Sequence, residues 1–158
     1  MARRIARRVM GKPNEINTWR TLDTVLDRVY RFKSGTGLKV ARTFIDTGGH
    51  FTTPVYEYCR RNRHKQRIGI KGKGGAGLPL NYKTTMLRDW GIPLQILGVN
   101  DGKQQVLTRL GKEETGAQYF HFPFDDNVFG VRGYDEIYFK GIIAEQKKIR
   151  VRGGQIYV

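Results

Sequence analysis

The sequence predicts an α/β fold in which helices lie on the faces of a sheet. One segment has the apolar spacing of an amphipathic helix, several short apolar segments are bounded by glycines, and helical and strand-like segments alternate along the chain. In sheets of this class, ligands bind where the carboxyl ends of the strands meet. Residues that follow the predicted strands are therefore the first candidates for a functional site.

The first predicted elements are a long helix and a buried strand. Apolar residues recur at three- and four-residue steps after Asn14, which can cap the helix, and Gly35 or Gly37 can end it. Residues 38–46 are apolar and β-branched, and glycines lie on both sides of them. We expect this segment to form a buried strand that ends at Asp46.

The middle of the chain continues the alternation. Thr53 followed by Pro54 is typical of a helix start, and the short helix that follows is expected to end in positive charge. Residues 67–71 and 93–99 are predicted strands, and the glycine-rich segment 72–79 between them is predicted to be a mobile loop. A short helix is predicted over residues 103–110.

The last part of the chain has weaker signals. Residues 119–122 are predicted to extend the sheet, and residues 134–142 to form a helix. The alternating segments 146–151 and 155–158 flank a Gly-Gly pair, which is a turn signal, and predict a terminal hairpin.

Length and charge indicate one folded domain with a polyanionic partner. A chain of 158 residues fits a single core, for which we expect a basic arm at residues 1–12 and one domain at residues 13–158. Lysine and arginine exceed aspartate and glutamate by 29 to 14, a net charge of +15 that favours nucleic acid bound without sequence preference. The lone Cys59 excludes an internal disulfide, and no apolar run is long enough for a membrane span, so the expected location is the cytoplasm.

Two glycine-rich segments resemble nucleotide-binding motifs only superficially. Gly72–Gly77 matches G-x-G-x-x-G, but Leu78-Pro79-Leu80 stands where a dinucleotide fold needs a helix. In Gly98–Lys103 the glycines are too close together for a phosphate loop, and Gln104 replaces the Ser or Thr that would bind magnesium. The sequence therefore predicts neither a dinucleotide site nor an ATPase motor.

Asp46 is the most informative acidic residue. It directly follows an apolar strand and precedes the turn that contains Gly48 and Gly49. A carboxylate in this position either caps the turn or holds a cation at the edge of the sheet. Cleavage of a phosphodiester by two metal ions needs several converging carboxylates, which one aspartate does not supply.

Short motifs in a fixed order resemble the nuclease domain of GpA-type large terminase subunits, the DNA-packaging enzymes of tailed phages. The resemblance covers roughly residues 10 to 152. The matching segments are Phe44–His50, Val55-Tyr56, Ile70-Lys71-Gly72, Leu97–Asn100 with Lys103, His121-Phe122-Pro123 and Ala144-Glu145.

The resemblance implies an RNase H-like mixed sheet and an endonuclease that binds magnesium or manganese and cuts double-stranded DNA. It makes Asp46 the catalytic and metal-binding acid, with Asp101 and Glu145 as auxiliary metal ligands. The basic residues assigned to DNA contacts are Lys71, Lys73, Lys83, Lys103, Arg60, Arg61 and Arg63.

The chain also departs from the family pattern. The family has a G-V-D-x-Q strand and an N-E-A-L-D helix that carry further acids, and an ATPase domain, and none of these occurs in this sequence. We therefore expect a domain truncated at both ends, whose activity in isolation is open. An exposed sheet edge would favour a homo-oligomer or pairing with another chain. The resemblance also implies the small terminase subunit and the portal as partners.

Two other functions stay open on the sequence alone. The chain could be a catalytically inert, basic nucleic-acid-binding module in which Asp46 only caps a turn. It could also be a phage assembly protein whose positive face packs against DNA or against a partner subunit.

Overall fold

The computed structural model describes residues 9–31, 34–122, 135–144, 150–152 and 155–157. Residues 9–120 form one compact unit, and the described residues from 121 onward belong to a second unit. The division into a basic arm at residues 1–12 and one domain at residues 13–158 stays a prediction. In the described part of the chain, no helix is both long and apolar enough to cross a membrane.

The first unit contains three helices and six strands. In chain order they are α1 (Ile16–Leu26), β1 (Tyr30–Arg31), β2 (Gly37–Leu38), β3 (Thr43–Asp46), α2 (Thr52–Arg61), β4 (Arg67–Lys73), β5 (Asn81–Leu87), β6 (Ile92–Gly98) and α3 (Val99–Leu110). Short 3-10 turns at Arg63–Lys65 and Arg88–Trp90 precede β4 and β6.

Four of these strands form a mixed sheet in the order β3-β4-β6-β5. Thr43 pairs with Arg67 and Gly69 pairs with Leu94, so that β3, β4 and β6 run parallel. The edge strand β5 runs antiparallel to β6. The predicted α/β class with a mixed sheet is therefore confirmed.

Helices α1 and α2 build the core on one face of the sheet. The ring of Trp19 stacks on that of Tyr58 with centroids 4.3 Å apart, which joins the two helices. Val55 and Cys59 of α2 belong to the same buried cluster as Ile92 of β6. Burial of each such apolar side chain contributes on the order of 2 kcal/mol, so this cluster fixes the helices on the sheet.

A buried arginine fastens the end of α1 to the start of β4. The side chain of Arg67 is only 1% exposed, and its Nη2 lies 2.7 Å from a carboxylate oxygen of Asp27. Its Nη1 donates to Thr43 Oγ1 at 2.8 Å. Lys65 Nζ reaches the other oxygen of Asp27 at 2.7 Å. The hydroxyl of Tyr58 donates to Asp23 beside this network, and burial together with that hydrogen bond raises the pKa of Tyr58.

The predicted first helix and strand are both shorter than expected. Helix α1 is capped at Glu15 rather than Asn14 and ends at Leu26, far before the glycines at 35 and 37. The chain turns at Asp27, whose carboxylate is held by Lys65 from the 3-10 turn before β4 and by Arg67 from the first position of β4. Of the predicted strand 38–46, only β3 joins the sheet, since pairing with β4 begins at Thr43.

Other boundaries also move. Helix α2 is confirmed but begins at Thr52, whose hydroxyl donates to Thr47 O and Gly49 O, so Thr53 is not its cap. Helix α3 begins at Val99 rather than at residue 103. The predicted strands at 67–71 and 93–99 are confirmed as β4 and β6.

Two strand assignments are wrong. The sequence analysis missed β5 entirely, because most of its side chains are exposed and it lacks an apolar run. The predicted strand at 119–122 has no regular structure.

The described part of the second unit is small. Helix α4 spans Glu136–Ile143 and is capped by Asp135, whose carboxylate accepts from Tyr138 N at 2.8 Å. Strands β7 (Arg150–Arg152) and β8 (Gln155–Tyr157) pair antiparallel. The predicted helix at 134–142 and the centre of the predicted hairpin are thus confirmed.

Candidate functional site

The parallel strands bring the residues that follow them to one end of the sheet. Asp46 ends β3, Lys73 ends β4 and Gly98 ends β6, while the antiparallel β5 starts there. We call this end, with Asp46, Lys71, Lys73, Lys83 and the first turn of α3, the carboxyl rim. Asp46, Lys71 and residues 100–103 end or follow the predicted strands at 38–46, 67–71 and 93–99, and the parallel register brings these strand ends to one end of the sheet.

Asp46 is an exposed carboxylate in a turn that hydrogen bonds stabilise. Its Oδ1 accepts a hydrogen bond from Gly48 N at 2.9 Å, so Asp46 caps the turn that contains Gly48 and Gly49. Thr47, which is only 2% exposed, donates its hydroxyl to Ile70 O on the neighbouring strand at 2.9 Å. A carboxylate has about four acceptor sites, so one backbone N–H leaves capacity for a cation. Capping and metal binding are therefore compatible at Asp46.

Asp101 fastens a loop to the rim. It lies in the first turn of α3, where its Oδ2 accepts from Leu80 N at 2.6 Å and from Gln105 Nε2 at 2.9 Å. Gly98 N also donates to Pro79 O at 3.2 Å. The end of the glycine-rich segment predicted to be a mobile loop is thus held in place by the start of α3.

The backbone at Gly98 approaches this loop very closely. A Cβ atom at residue 98 would lie 2.3 Å from Leu78 O and 2.4 Å from Pro79 O, closer than a side chain can be accommodated. Only glycine therefore allows β6 to pass under the loop. The first glycine-rich segment leads into β5 rather than into a helix, and residues 99–103 of the second already belong to α3.

The two acids of the rim do not converge. Asp46 is level with Ile70 on β4, and Ile70 is level with Gln95 on β6, three residues before Gly98. Two strand spacings of about 4.8 Å separate β3 from β6, and three residues along β6 add about 10 Å, so Asp46 and the start of α3 are roughly 14 Å apart. Among the residues that the structure describes, no three His, Cys, Asp or Glu side chains form a metal-binding group. Glu145 lies outside the described residues, and the metal-binding roles of Asp46, Asp101 and Glu145 stay predictions.

Three of the predicted DNA-contacting lysines lie at the rim, and two of them contact the ring of a tyrosine. Lys71 and Lys83 are both level with Ile96, which places them on the same face of the sheet, about 10 Å apart. Lys73 Nζ lies 5.1 Å from the centre of the Tyr82 ring, and Lys83 Nζ lies 5.7 Å from it. All three lysines are exposed, so the rim is positively charged. Lys103 lies one turn into α3 and is also exposed.

The predicted DNA-contacting arginines lie at the opposite end of the strands. Arg60 and Arg61 end α2, and Arg63 precedes β4. The guanidinium of Arg60 lies 5.9 Å from the centre of the Trp90 ring, and Arg63 Nη1 donates to Gly91 O at 3.4 Å. The structure therefore divides the predicted DNA contacts into two groups at the two ends of the sheet.

Several site features escaped the sequence analysis. Tyr82 at the rim belongs to β5, and the signal that could have found that strand is its content of aromatic and β-branched residues, Tyr82, Thr84 and Thr85. On the other face, Gln95 Nε2 donates to Asn81 Oδ1 at 2.7 Å and ties β6 to β5. Burial raises the pKa of the Cys59 thiol to about 11, so this cysteine is not a ready nucleophile.

Comparison with known proteins identifies the family. The family described as "Terminase large subunit gpA, endonuclease domain" matches residues 5–158. The terminase large subunit of Escherichia phage lambda is 26% identical over 125 residues, which cover 77% of this chain and 20% of that protein. The terminase large subunit of Enterobacteria phage P21 is 22% identical over 149 residues, 91% of this chain and 23% of that protein.

The chain thus spans about a fifth of the length of these curated relatives. No solved structure matches it. The match of the family description over residues 5–158, together with the rim that carries Asp46, shows that this chain belongs to the family of terminase large subunit endonuclease domains.

Proposed function

We propose that this chain is the DNA-cutting part of a phage packaging terminase, a metal-dependent endonuclease of RNase H-like fold that acts on double-stranded DNA. The observation that carries the proposal is the position of Asp46, an exposed carboxylate at the end of a parallel strand, at the same end of the sheet as the lysines of the carboxyl rim. Membership in a family of endonuclease domains also supports a DNA-cutting function.

The residues at the rim fit a hard cation. Magnesium and manganese prefer oxygen ligands, and Asp46 offers an exposed carboxylate held in one orientation by Gly48 N. When bound, such a metal stabilises negative charge on phosphate oxygens and activates water. One carboxylate does not complete a two-metal site, so we propose that further acidic residues join Asp46 in the active nuclease.

The chain's own residues would hold the substrate. Lys71, Lys73 and Lys83 present ammonium groups on the rim, where each can neutralise a phosphate of the DNA backbone. The loop that ends at Leu80 is held by a hydrogen bond to Asp101. This bond fixes the backbone position of the loop between Lys73, which precedes it, and Lys83, which follows it. In this arrangement the lysines bind DNA, Asp46 holds the metal, and Asp101 positions the loop.

The decisive experiment is cleavage of supercoiled plasmid with manganese at low salt by the wild-type chain and by Asp46→Asn. We expect nicking by the wild type, loss of nicking in the variant and in chelator, and loss of manganese binding to the variant in calorimetry. Asp89→Asn removes an exposed acid from the other end of the sheet and should nick like the wild type. Nicking that persists in Asp46→Asn would refute the role of this acid.

A second candidate function has one observation in its favour. Asp46 already caps the turn through Gly48 N, which is all that an inert DNA-binding module would require of it. In that case the wild type would retard plasmid on the same gel without cutting it, and Asp46→Asn would retard it equally. Association with the small terminase subunit and the portal belongs to the first proposal and is tested by co-purification.

A further inference from the structure

A second basic surface lies far from the carboxyl rim. Arg60 stacks on Trp90 at 5.9 Å, and Arg63 donates to Gly91 O at 3.4 Å, so both reach the turn between β5 and β6. Arg88 lies in the same short turn as Trp90. All three arginines are exposed. We call Arg60, Arg63 and Arg88 the turn cluster.

Among the residues that the structure describes, Arg60, Arg63 and Arg88 form no ion pair with an acidic side chain. The nearby cations Lys65 and Arg67 are both paired with Asp27 and belong to the fold. The acidic residues closest in sequence to the turn cluster are Glu57 and Asp89, so two acidic residues stand against the three arginines of the cluster. This end of the sheet therefore keeps an excess of exposed guanidinium groups, which bind phosphates through paired hydrogen bonds.

The lysines of the rim and Arg60, which belongs to α2, lie on the same face of the sheet. Lys83 and Leu87 are four residues apart on β5 and so point to the same face. On that face, Leu87 is level with the buried Ile92, and Lys83 is level with Ile96. Helix α2 packs on β4 and β6 and leaves the neighbouring strand β5 uncovered. Strand β5 therefore forms a strip beside the helix, and this strip runs from Lys83 to the turn cluster.

The length of this strip suits a DNA duplex. From Lys83 to Arg88 the chain advances five residues, or roughly 17 Å at about 3.4 Å per residue. Duplex DNA rises about 3.4 Å per base pair, so this length covers about five base pairs, or roughly half a helical turn. Over that distance the two strands exchange sides, so the two clusters would meet phosphates of opposite strands across one groove.

We infer that double-stranded DNA lies along β5 on the helix side of the sheet, with the turn cluster as a second phosphate contact about five base pairs from the carboxyl rim. This inference rests on the proposed function for the identity of the ligand. It adds the direction of the duplex and a contact surface away from the site of cutting.

The test is the salt dependence of binding to a 20-base-pair duplex, followed by fluorescence anisotropy. The double variant Arg63→Gln/Arg88→Gln removes two phosphate contacts and keeps the stacked Arg60. We expect the slope of log affinity against log salt to become less steep by about 1.8, and affinity at low salt to fall on the order of tenfold. The matched control Arg20→Gln/Lys112→Gln removes the same charge from exposed sites on α1 and after α3, and should keep the wild-type slope.

The melting temperature of the double variant and the salt slope of Arg88→Gln alone distinguish a lost phosphate contact from a loss of stability. If the double variant melts at a lower temperature than the wild type, Arg88→Gln alone should still reduce the slope by about 0.9. A wild-type slope in a folded variant overturns the inference, even where nicking depends on Asp46. A reduced slope in a chain that never nicks plasmid supports the second contact and refutes only the cutting function.

Discussion

The two ends of strand β4 use the same kind of side chain for opposite purposes. Arg67 and Lys71 are cations four residues apart on one strand and one face of the sheet. Arg67 is buried and bound to Asp27 and Thr43, whereas Lys71 is exposed at the carboxyl rim. The comparison teaches that position along the strand decides whether a cation holds the fold together or is free to meet a ligand.

The helices explain this difference. Helices α1 and α2, joined by the stacked rings of Trp19 and Tyr58, cover the end of the sheet where the parallel strands begin, which we call its amino half. A charged side chain buried there is stable only if an opposite charge pairs with it. At the rim, the chain leaves the sheet through the turn at Asp46 and the loop before Leu80, so the lysines there stay in water. The fold thus separates structural charges from charges available for binding.

The largest effect should come from removing the carboxylate that neutralises the buried Arg67. Asp27→Ala leaves this guanidinium buried without its counter-charge, and we expect a loss of about 3 kcal/mol of unfolding free energy. Lys71→Ala should change stability by less than about 0.5 kcal/mol. Urea denaturation of both variants measures this contrast, and equal losses would contradict it.

The next largest effect should come from the loop at the rim. Gly98→Ala forces a Cβ against Leu78 O and Pro79 O, and we expect it to destabilise the fold by about 2 kcal/mol and to expose the loop to proteases. Gly74→Ala is the matched control, since a Cβ there meets nothing within 4 Å. Thermal melting and limited proteolysis should separate the two, and a Gly98→Ala loop as resistant as the wild type would be inconsistent with a fastened loop.

A smaller effect concerns pH. The hydrogen bond from Lys65, supported by the charges of Lys65 and Arg67, holds the pKa of Asp27 below its ordinary value of 3.8. The stability from this lowered pKa is therefore complete above the unfolded value and is lost as the pH falls through the folded value. The melting temperature of the wild type should drop below about pH 4 more steeply than that of Asp27→Asn. Parallel pH profiles for the two would argue against this ion pair as a source of acid sensitivity.

The smallest effect should be seen at Cys59. Because burial raises the pKa of this thiol to about 11, we expect almost no reaction with a thiol reagent at pH 8 until the protein unfolds. Lys71→Cys places a second thiol at the exposed rim, where it should react at once. Rapid labelling of Cys59 in the native chain would show that the amino half of the sheet opens far more readily than its packing suggests.

Sequence reasoning succeeded where the signal was local. The apolar strands β4 and β6 and the helix after Thr52 follow from residue type and spacing alone, and so does the position of Asp46 at a strand end. The prediction failed where contacts between distant parts of the chain determine where an element ends. Helix α1 stops early because Asp27 is held by cations from a distant part of the chain.

The same limit applies to the site. The position of Asp101 at the start of a helix is local, but its bond to Leu80 N joins residues that are far apart in sequence. The separation of Arg60 and Arg63 from the rim lysines depends on α2 running back along the sheet, which no single segment reveals. Strand β5 was missed because an exposed edge strand needs few apolar residues.

The register of the sheet has a consequence for how the chain folds. Leu87 pairs with Ile92 across one short turn, whereas Thr43 pairs with Arg67 and Gly69 with Leu94 over about 25 residues. Closing a short loop costs less chain entropy than closing a long one. The β5–β6 ribbon should therefore form early and serve as the nucleus on which the parallel strands assemble. In that order of events, Asp46 reaches its final position only in the last stage, when β3 joins the sheet.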